Sequence, residues 1–256
     1  MTAVLPHQTL GDGSVTVVFA HGFTQTGTSW LPVARLLIER SPNLRCVMVD
    51  LPGHGSAHDV HVDLADTAAL LLATGQRAHY VGYSLGARSV IQAMRHRPDE
   101  MLSAVLISGT AGITDDGERA ARQHADEELA RHILDVGTDA FIQEWLAQPL
   151  FAHLPNELTD PEDRRRNTPE GLASSLRMCG QGATVPMWDV LASTDTPLLA
   201  LAGSRDDKYV ALARRMATVA THGRLHVVDG AGHGVHLEQP GVVAREIAYW
   251  INNPNE

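Results

Sequence analysis

The sequence predicts an α/β fold: a mostly parallel sheet with helices on both faces, interrupted by an inserted helical cap. Three observations carry this. Short β-branched runs alternate with helical patterns through about the first 110 residues, the rhythm of successive βαβ units. The rhythm then gives way to roughly 75 residues of helical pattern, too long for an ordinary loop. It resumes before the C-terminus, and 256 residues suffice for one large domain with an insertion.

The elements follow in order. Gly11-Asp-Gly13 lacks the following helix and third glycine of a dinucleotide-binding loop and is expected to form a hairpin or turn. Buried strands are expected at Val15 to Ala20, Cys46 to Val49, His79 to Val81 and Ala104 to Ser108. Leu31 to Ile38, Leu64 to Leu72 and Gly86 to Met94 carry apolar residues at helical spacing, with Asp63 or Asp66 as a cap for the second. Residues 113–189 read as the cap, broken by Pro149, Pro155, Pro161 and Pro169. Residues 1–112 and 190–256 form the core. Its second part holds a strand at Pro197 to Ala202, a helix at Val210 to Val219, a strand at Leu225 to Val228 and a helix at Pro240 to Ile251.

Composition excludes several classes. A hydrophobic content of 44% argues against disorder, and a formal net charge of -10 with no basic run longer than Arg164-Arg165-Arg166 argues against nucleic acid as partner. Lys208 is the only lysine, and the arginine bias reads as composition. Cys46 and Cys179 give neither a metal spacing nor a disulfide framework, which fits a reducing compartment. Met1 to Leu10 has no leader pattern and no run approaches the roughly 18 apolar residues of a membrane span. The expectation is a cytoplasmic protein without membrane contact.

The strongest motif is Gly82-Tyr-Ser84-Leu-Gly86 between a strand and a helix. Its glycines allow a strained turn that lifts a serine hydroxyl above the carboxyl edge of the sheet, where the Leu85 amide faces the reacting oxygen. Serine needs a base and an orienting acid, supplied in the chain order Ser, acid, His. Asp206 follows the strand ending at Ala202, with Asp207 as its rival, and His233 lies in the glycine-rich loop after the last strand. Phe23, in Phe19-Ala-His21-Gly22-Phe23, supplies the second oxyanion-hole amide, while His21 organises its loop or simply packs. His236 is expected to be structural or to support the site from behind. Asp50-Leu-Pro-Gly-His-Gly55 reads as a structural turn. His58-Asp-Val-His61-Val-Asp63 has metal-like density, but alternation in a polar loop splays its side chains, so no metal site is expected. Trp145 and Trp188 read as cap core, with Trp145 the better pocket wall, and Lys208 marks only the acid loop.

These residues resemble the α/β-hydrolase superfamily across essentially the whole chain. Within it, Gly82-Tyr-Ser-Leu-Gly-Ala-Arg88, Trp145-Leu-Ala-Gln-Pro-Leu-Phe151 and Gly171-Leu-Ala-Ser-Ser-Leu176 resemble the MenH family, the 2-succinyl-6-hydroxy-2,4-cyclohexadiene-1-carboxylate synthases of menaquinone biosynthesis. The sequence departs from that family at Leu146, often Tyr there, at Ala87, often Gly, and at Cys179-Gly-Gln-Gly182. The resemblance implies a Ser84-His233-Asp206 triad and substrate contacts from Tyr83, Arg88, Arg122 and Trp145, with a further cap arginine at Arg164 or Arg166. It also implies a cofactor-independent lyase that eliminates pyruvate from a small-molecule carboxylate. The alternatives are an esterase, thioesterase or C–C bond hydrolase working through an acyl-enzyme, and a non-catalytic interaction domain.

Overall fold

The computed structural model describes residues 3–253. Among them the sheet has seven strands: β1 (His7–Leu10), β2 (Val15–Ala20), β3 (Leu44–Val49), β4 (Ala78–Tyr83), β5 (Met101–Ile107), β6 (Leu198–Gly203) and β7 (Gly223–Val228). Their spatial order is β1-β3-β2-β4-β5-β6-β7, parallel throughout except for β1, which runs antiparallel to β3. The expected strands all form. Sequence reasoning missed β1, a polar edge strand with an exposed face, and β1 pairs with β3, so Gly11-Asp-Gly13 is a turn and not a hairpin.

Alternation along the strands assigns the two faces. In β2, Val17 and Phe19 join a cluster with Trp30, Leu37, Val243, Ile247 and Trp250, under α1 (Leu31–Arg40) and α9 (Pro240–Asn252). Val18 and Ala20 face the other way, into a cluster with Leu71, Tyr80, Val90, Ile91 and Met216 beneath α2 (Leu64–Gly75), α3 (Leu85–His96) and α8 (Asp207–Val219). Burial on both faces is why these strands read as continuous apolar runs. Asp63 caps α2, accepting the Asp66 N–H at 2.9 Å, and His58 Nδ1 bonds the Gly55 carbonyl at 2.9 Å, so both side chains serve local structure.

Between β5 and β6 the cap has its own small core of Ala130, Ile133, Phe141, Leu172, Ala173 and Leu176. It joins α4 (Asp116–Leu146), which kinks at Gly137 where φ is 79°, to α6 (Pro169–Cys179), with the short α5 (Pro161–Arg164) between them. The expected boundary at residue 189 falls inside α7 (Trp188–Ser193), which packs on α3 and α8 of the core. Trp188 is correspondingly no cap-core residue: its Nε1–H donates to Gly112 O at 3.0 Å and Arg215 stacks on its ring at 3.7 Å.

Asp50, at the end of β3, ties this insert to the sheet. Its buried carboxylate accepts the Gly27 and Ser56 amides, each at 2.8 Å, and pairs with Arg166 at 3.4 Å. Burial opposes its ionisation, but the two amides and then the guanidinium prevail and hold the carboxyl below its usual pKa. A folded pKa below the unfolded value of about 3.9 means the contribution is complete above that pH and lost as pH falls through the folded pKa. Asp50→Ala, which strands the buried Gly27 amide and frees the part-buried Ser56 amide, should lower unfolding free energy by about 1–3 kcal/mol in urea titrations at neutral pH. The gap from wild type should narrow in strong acid.

Candidate active site

Ser84, the serine that the motif singles out, sits on a strained turn. Ser84 has φ 52° and ψ −104°, a conformation that costs a non-glycine residue about 1–3 kcal/mol. The flanking glycines make it possible: a Cβ on Gly86 would lie 2.1 Å from Ala20 O, and one on Gly82 would lie 2.4 Å from Gly86 O. The Ser84 N–H donates to Ile107 O at 3.0 Å, anchoring the turn to β5. Leu85 opens α3, so its amide has no helical acceptor and remains available at the positive end of the helix.

The loop after β2 brings Phe23 to the same cavity. The Gly86 N–H donates to His21 O at 3.0 Å, joining the two loops. His21 Nε2 accepts the Leu51 N–H at 2.9 Å, and its Nδ1 donates to Gly22 O at 2.8 Å. Both nitrogens are thus committed to a neutral ring, and burial lowers its pKa. His21 therefore organises the loop. Gln25 Oε1 accepts the Gly22 N–H at 3.0 Å, and its amide nitrogen lies 3.3 Å from Nε2 of His236, which packs between Trp30 and Tyr83. That is a supporting place for His236. From the cap, Asn167 donates to Thr24 O at 2.7 Å and accepts the Gly55 N–H at 2.8 Å.

Asp206 and His233 meet in the other half of the chain. His233 Nδ1 lies 2.8 Å from Asp206 Oδ2, so in the neutral ring Nδ1–H donates and Nε2 is left as the base. Asp206 also caps α8, accepting the Tyr209 N–H at 3.2 Å, whereas Asp207 is exposed in the first turn of that helix and lies off the cavity. Glu238 braces the histidine loop, accepting the Gly232 and Gly234 amides at 2.7 and 3.1 Å.

Ser84, His233, Phe23 and Leu85 line a cavity of about 440 Å³ beneath the cap, together with Tyr83, Arg88, Arg122, Trp145 and Arg164. Arg88 is buried, donates to Cys179 O at 2.8 Å and has no partner for Nε among the described residues. Trp145 Nε1 and Ser175 Oγ, also on the wall, are likewise buried and unpartnered. Arg164 is buried, donating to Thr159 O at 2.7 Å and to the Thr24 hydroxyl. Burial pulls both guanidinium pKa values down from normal, yet arginine stays charged. Arg122 is half-buried and held by Asp126 at 2.7 Å. Burial pushes the Tyr83 phenol up, so it is neutral.

Of the two cap arginines left open by the sequence, Arg164 reaches the cavity. Arg166 does not: it turns outward to Asp50 and to Asp163 at 2.9 Å, because the short α5 points consecutive side chains in different directions. Arg165 is exposed and paired with Asp139 and Glu162. Sequence reasoning missed Tyr209, whose ring lies 4.4 Å from that of His233, and Asp126, Gln148, Phe151 and Gln181 on the cavity wall. Lys208 also lines the cavity and is more than a marker of the acid loop. Signals were present for some of these: Gln148 and Phe151 lie in the MenH-like run that begins at Trp145, and Lys208 and Tyr209 stand two and three residues beyond Asp206.

A serine on a strand-to-helix elbow and a carboxylate-bound histidine lining one cavity at the edge of an open, mostly parallel sheet are features of the α/β-hydrolase class of enzyme. The model of that family, described as alpha/beta hydrolase family, matches residues 17–246, and the chain belongs to it. Within the family it belongs to the MenH-like branch. The 2-succinyl-6-hydroxy-2,4-cyclohexadiene-1-carboxylate synthase of Salmonella typhimurium is 30% identical to it, covering 92% of this chain and 93% of its own. The structure of MenH from S. aureus superposes with a TM-score of 0.87 at 25% identity, covering 98% and 99% of the two chains. A thermophilic esterase from Thermogutta terrifontis shares the fold, with a TM-score of 0.84 at 19% identity over 98% and 94%.

A fluorophosphonate probe should label Ser84, and Ser84→Ala should abolish labelling in intact-mass spectra. Asp206→Asn should slow labelling by about 10³–10⁴-fold through loss of the correct histidine tautomer, with Asp207→Asn close to wild type. Equal effects of the two substitutions would reject Asp206 as the acid.

Proposed function

We propose that the protein is a cofactor-independent lyase of cytoplasmic menaquinone biosynthesis, eliminating pyruvate from 2-succinyl-5-enolpyruvyl-6-hydroxy-3-cyclohexene-1-carboxylate. One observation carries the reading: Arg88, Arg122 and Arg164 converge with Ser84 and His233 on one cavity, and the buried Arg88 keeps an unpartnered Nε. The substrate has three carboxylates, and a guanidinium presents a planar fork that matches one. The named relatives support the same branch of chemistry.

The bond changes fit the residues. Ser84, with His233 as its base and Asp206 orienting the ring, removes the proton at C2 beside the succinyl carbonyl. The negative charge passing onto that carbonyl oxygen is held by the Phe23 and Leu85 amides. The electron pair then forms C2=C3, the ring double bond moves to C4=C5, and the C5–O bond breaks. Enolpyruvate leaves and takes up a proton to become pyruvate, so no water is consumed. Tyr83 and Trp145 line the cavity that would receive the ring, and the Trp145 Nε1–H, without a partner among the described residues, is available to a substrate oxygen.

The same serine, histidine and amides would also serve acyl transfer, which keeps an esterase or related hydrolase as the second reading. Purified protein given the isochorismate-derived substrate should release pyruvate, followed with lactate dehydrogenase and NADH. No pyruvate, together with Ser84-dependent turnover of short p-nitrophenyl esters, would overturn the lyase reading. Arg88→Ala and Arg122→Ala should each lower kcat/KM for the carboxylate substrate by about 10–100-fold, and lower turnover of a neutral ester much less. Equal losses on both substrates would point to damaged folding.

A further inference from the structure

We infer that Lys208 is a further substrate-binding residue, a mobile cation at the cavity rim that takes a carboxylate which the three arginines leave free. It is the only lysine in a chain that uses arginine at every other basic position, and it lines the cavity. Its ammonium has no carboxylate partner among the described residues and lies 5.6 Å from the centroid of Tyr209, the ring packed on His233. Tyr209 is thus a neighbour of both the rim cation and the His233 ring.

The four cations differ in chemistry. Arg88 and Arg164 are buried, and their forks are fixed by carbonyl and hydroxyl acceptors; Arg122 is committed to Asp126. Each is a rigid, shape-selective contact. An ammonium is a compact, strongly hydrated charge on a flexible stem, able to meet an entering carboxylate and follow it inward without a set geometry. Rim charges act chiefly on association rate and salt dependence. Lys208 therefore favours acids carrying several separated carboxylates over monocarboxylates. Only the identity of the acid rests on the lyase reading.

The test uses binding, so it stands apart from turnover. Full-length protein is titrated with propane-1,2,3-tricarboxylate and with cyclohexanecarboxylate at low and high salt, following tryptophan fluorescence, to which the cavity residue Trp145 contributes. Lys208→Met should weaken tricarboxylate binding about fivefold and shrink its salt dependence, with a change of about twofold or less for the monocarboxylate. Lys208→Arg should recover most of the loss, and thermal melts of this exposed position should be unchanged. Equal weakening of both acids, no change in either, or wild-type protein that does not prefer the tricarboxylate would each overturn the assignment. If pyruvate is released with the same KM in wild type and Lys208→Met, the lyase reading stands and the role of Lys208 falls. If pyruvate is never released but the tricarboxylate preference depends on Lys208, the reverse holds.

Discussion

The close approach of the start of α3 to the end of β2 is the constraint on which the rest of the site depends. The gap between Gly86 and Ala20 O leaves no room for a side chain, and across it the Gly86 amide bonds His21 O at 3.0 Å. Beside that contact Ser84 holds a positive φ of 52°. The same contact fixes the nucleophile loop and the loop of Phe23 relative to one another. Both amides assigned to the developing oxyanion are therefore set by a single backbone junction. Such preorganisation matters because a donor that must move during the reaction gives back part of its stabilisation.

The second loop is held from three directions by groups that cannot easily exchange partners. His21 is locked neutral between Leu51 N and Gly22 O, Gln25 holds Gly22 N, and Asn167 reaches down from the cap to Thr24 O. Asn167 also holds Gly55 N, while Asp50 gathers Gly27, Ser56 and the cap residue Arg166. The cap is consequently more than a roof. Its seating holds the Phe23 loop from above, and the same stretch delivers Arg164 into the cavity, so that loop and the cavity lining are coupled through a few hydrogen bonds.

The core and the strand-to-helix elbow at Ser84 were legible because each leaves a local trace. Val17 and Phe19 alternate with Val18 and Ala20 in one run, and Gly82 and Gly86 bracket Ser84 at fixed offsets. His233 could be singled out among 14 histidines by its loop at a strand end. Asp206 and Asp207 could not be separated without the helix start that caps one and exposes the other. Arg164 and Arg166 could not be separated either, because α5 is a single turn with no periodicity to read. β1 was invisible for a different reason: an edge strand with a wet face carries no apolar alternation. The resemblance to MenH proteins supplied the roles of Arg88 and Trp145, which no pattern in the chain alone would have assigned.

The electrostatics of the cavity run against both stability and net charge. Arg88 and Arg164 are buried with carbonyl and hydroxyl acceptors but no carboxylate, and removing a guanidinium from water without a counter-ion is costly. A sequence under pressure for stability alone would pair these groups or replace them with apolar ones, as it does elsewhere in the core. On the proposed function, that cost meets the demand of an anionic ligand beside Ser84. The net charge of -10 does not oppose that demand, since exposed charges are screened beyond about 8 Å at physiological salt. Within the cavity the balance is local: three guanidinium groups and one ammonium against the lone carboxylate of Asp126, already engaged by Arg122. An acidic protein thus carries a cationic site, and an anion that reaches the rim meets the sign of the pocket and not that of the chain.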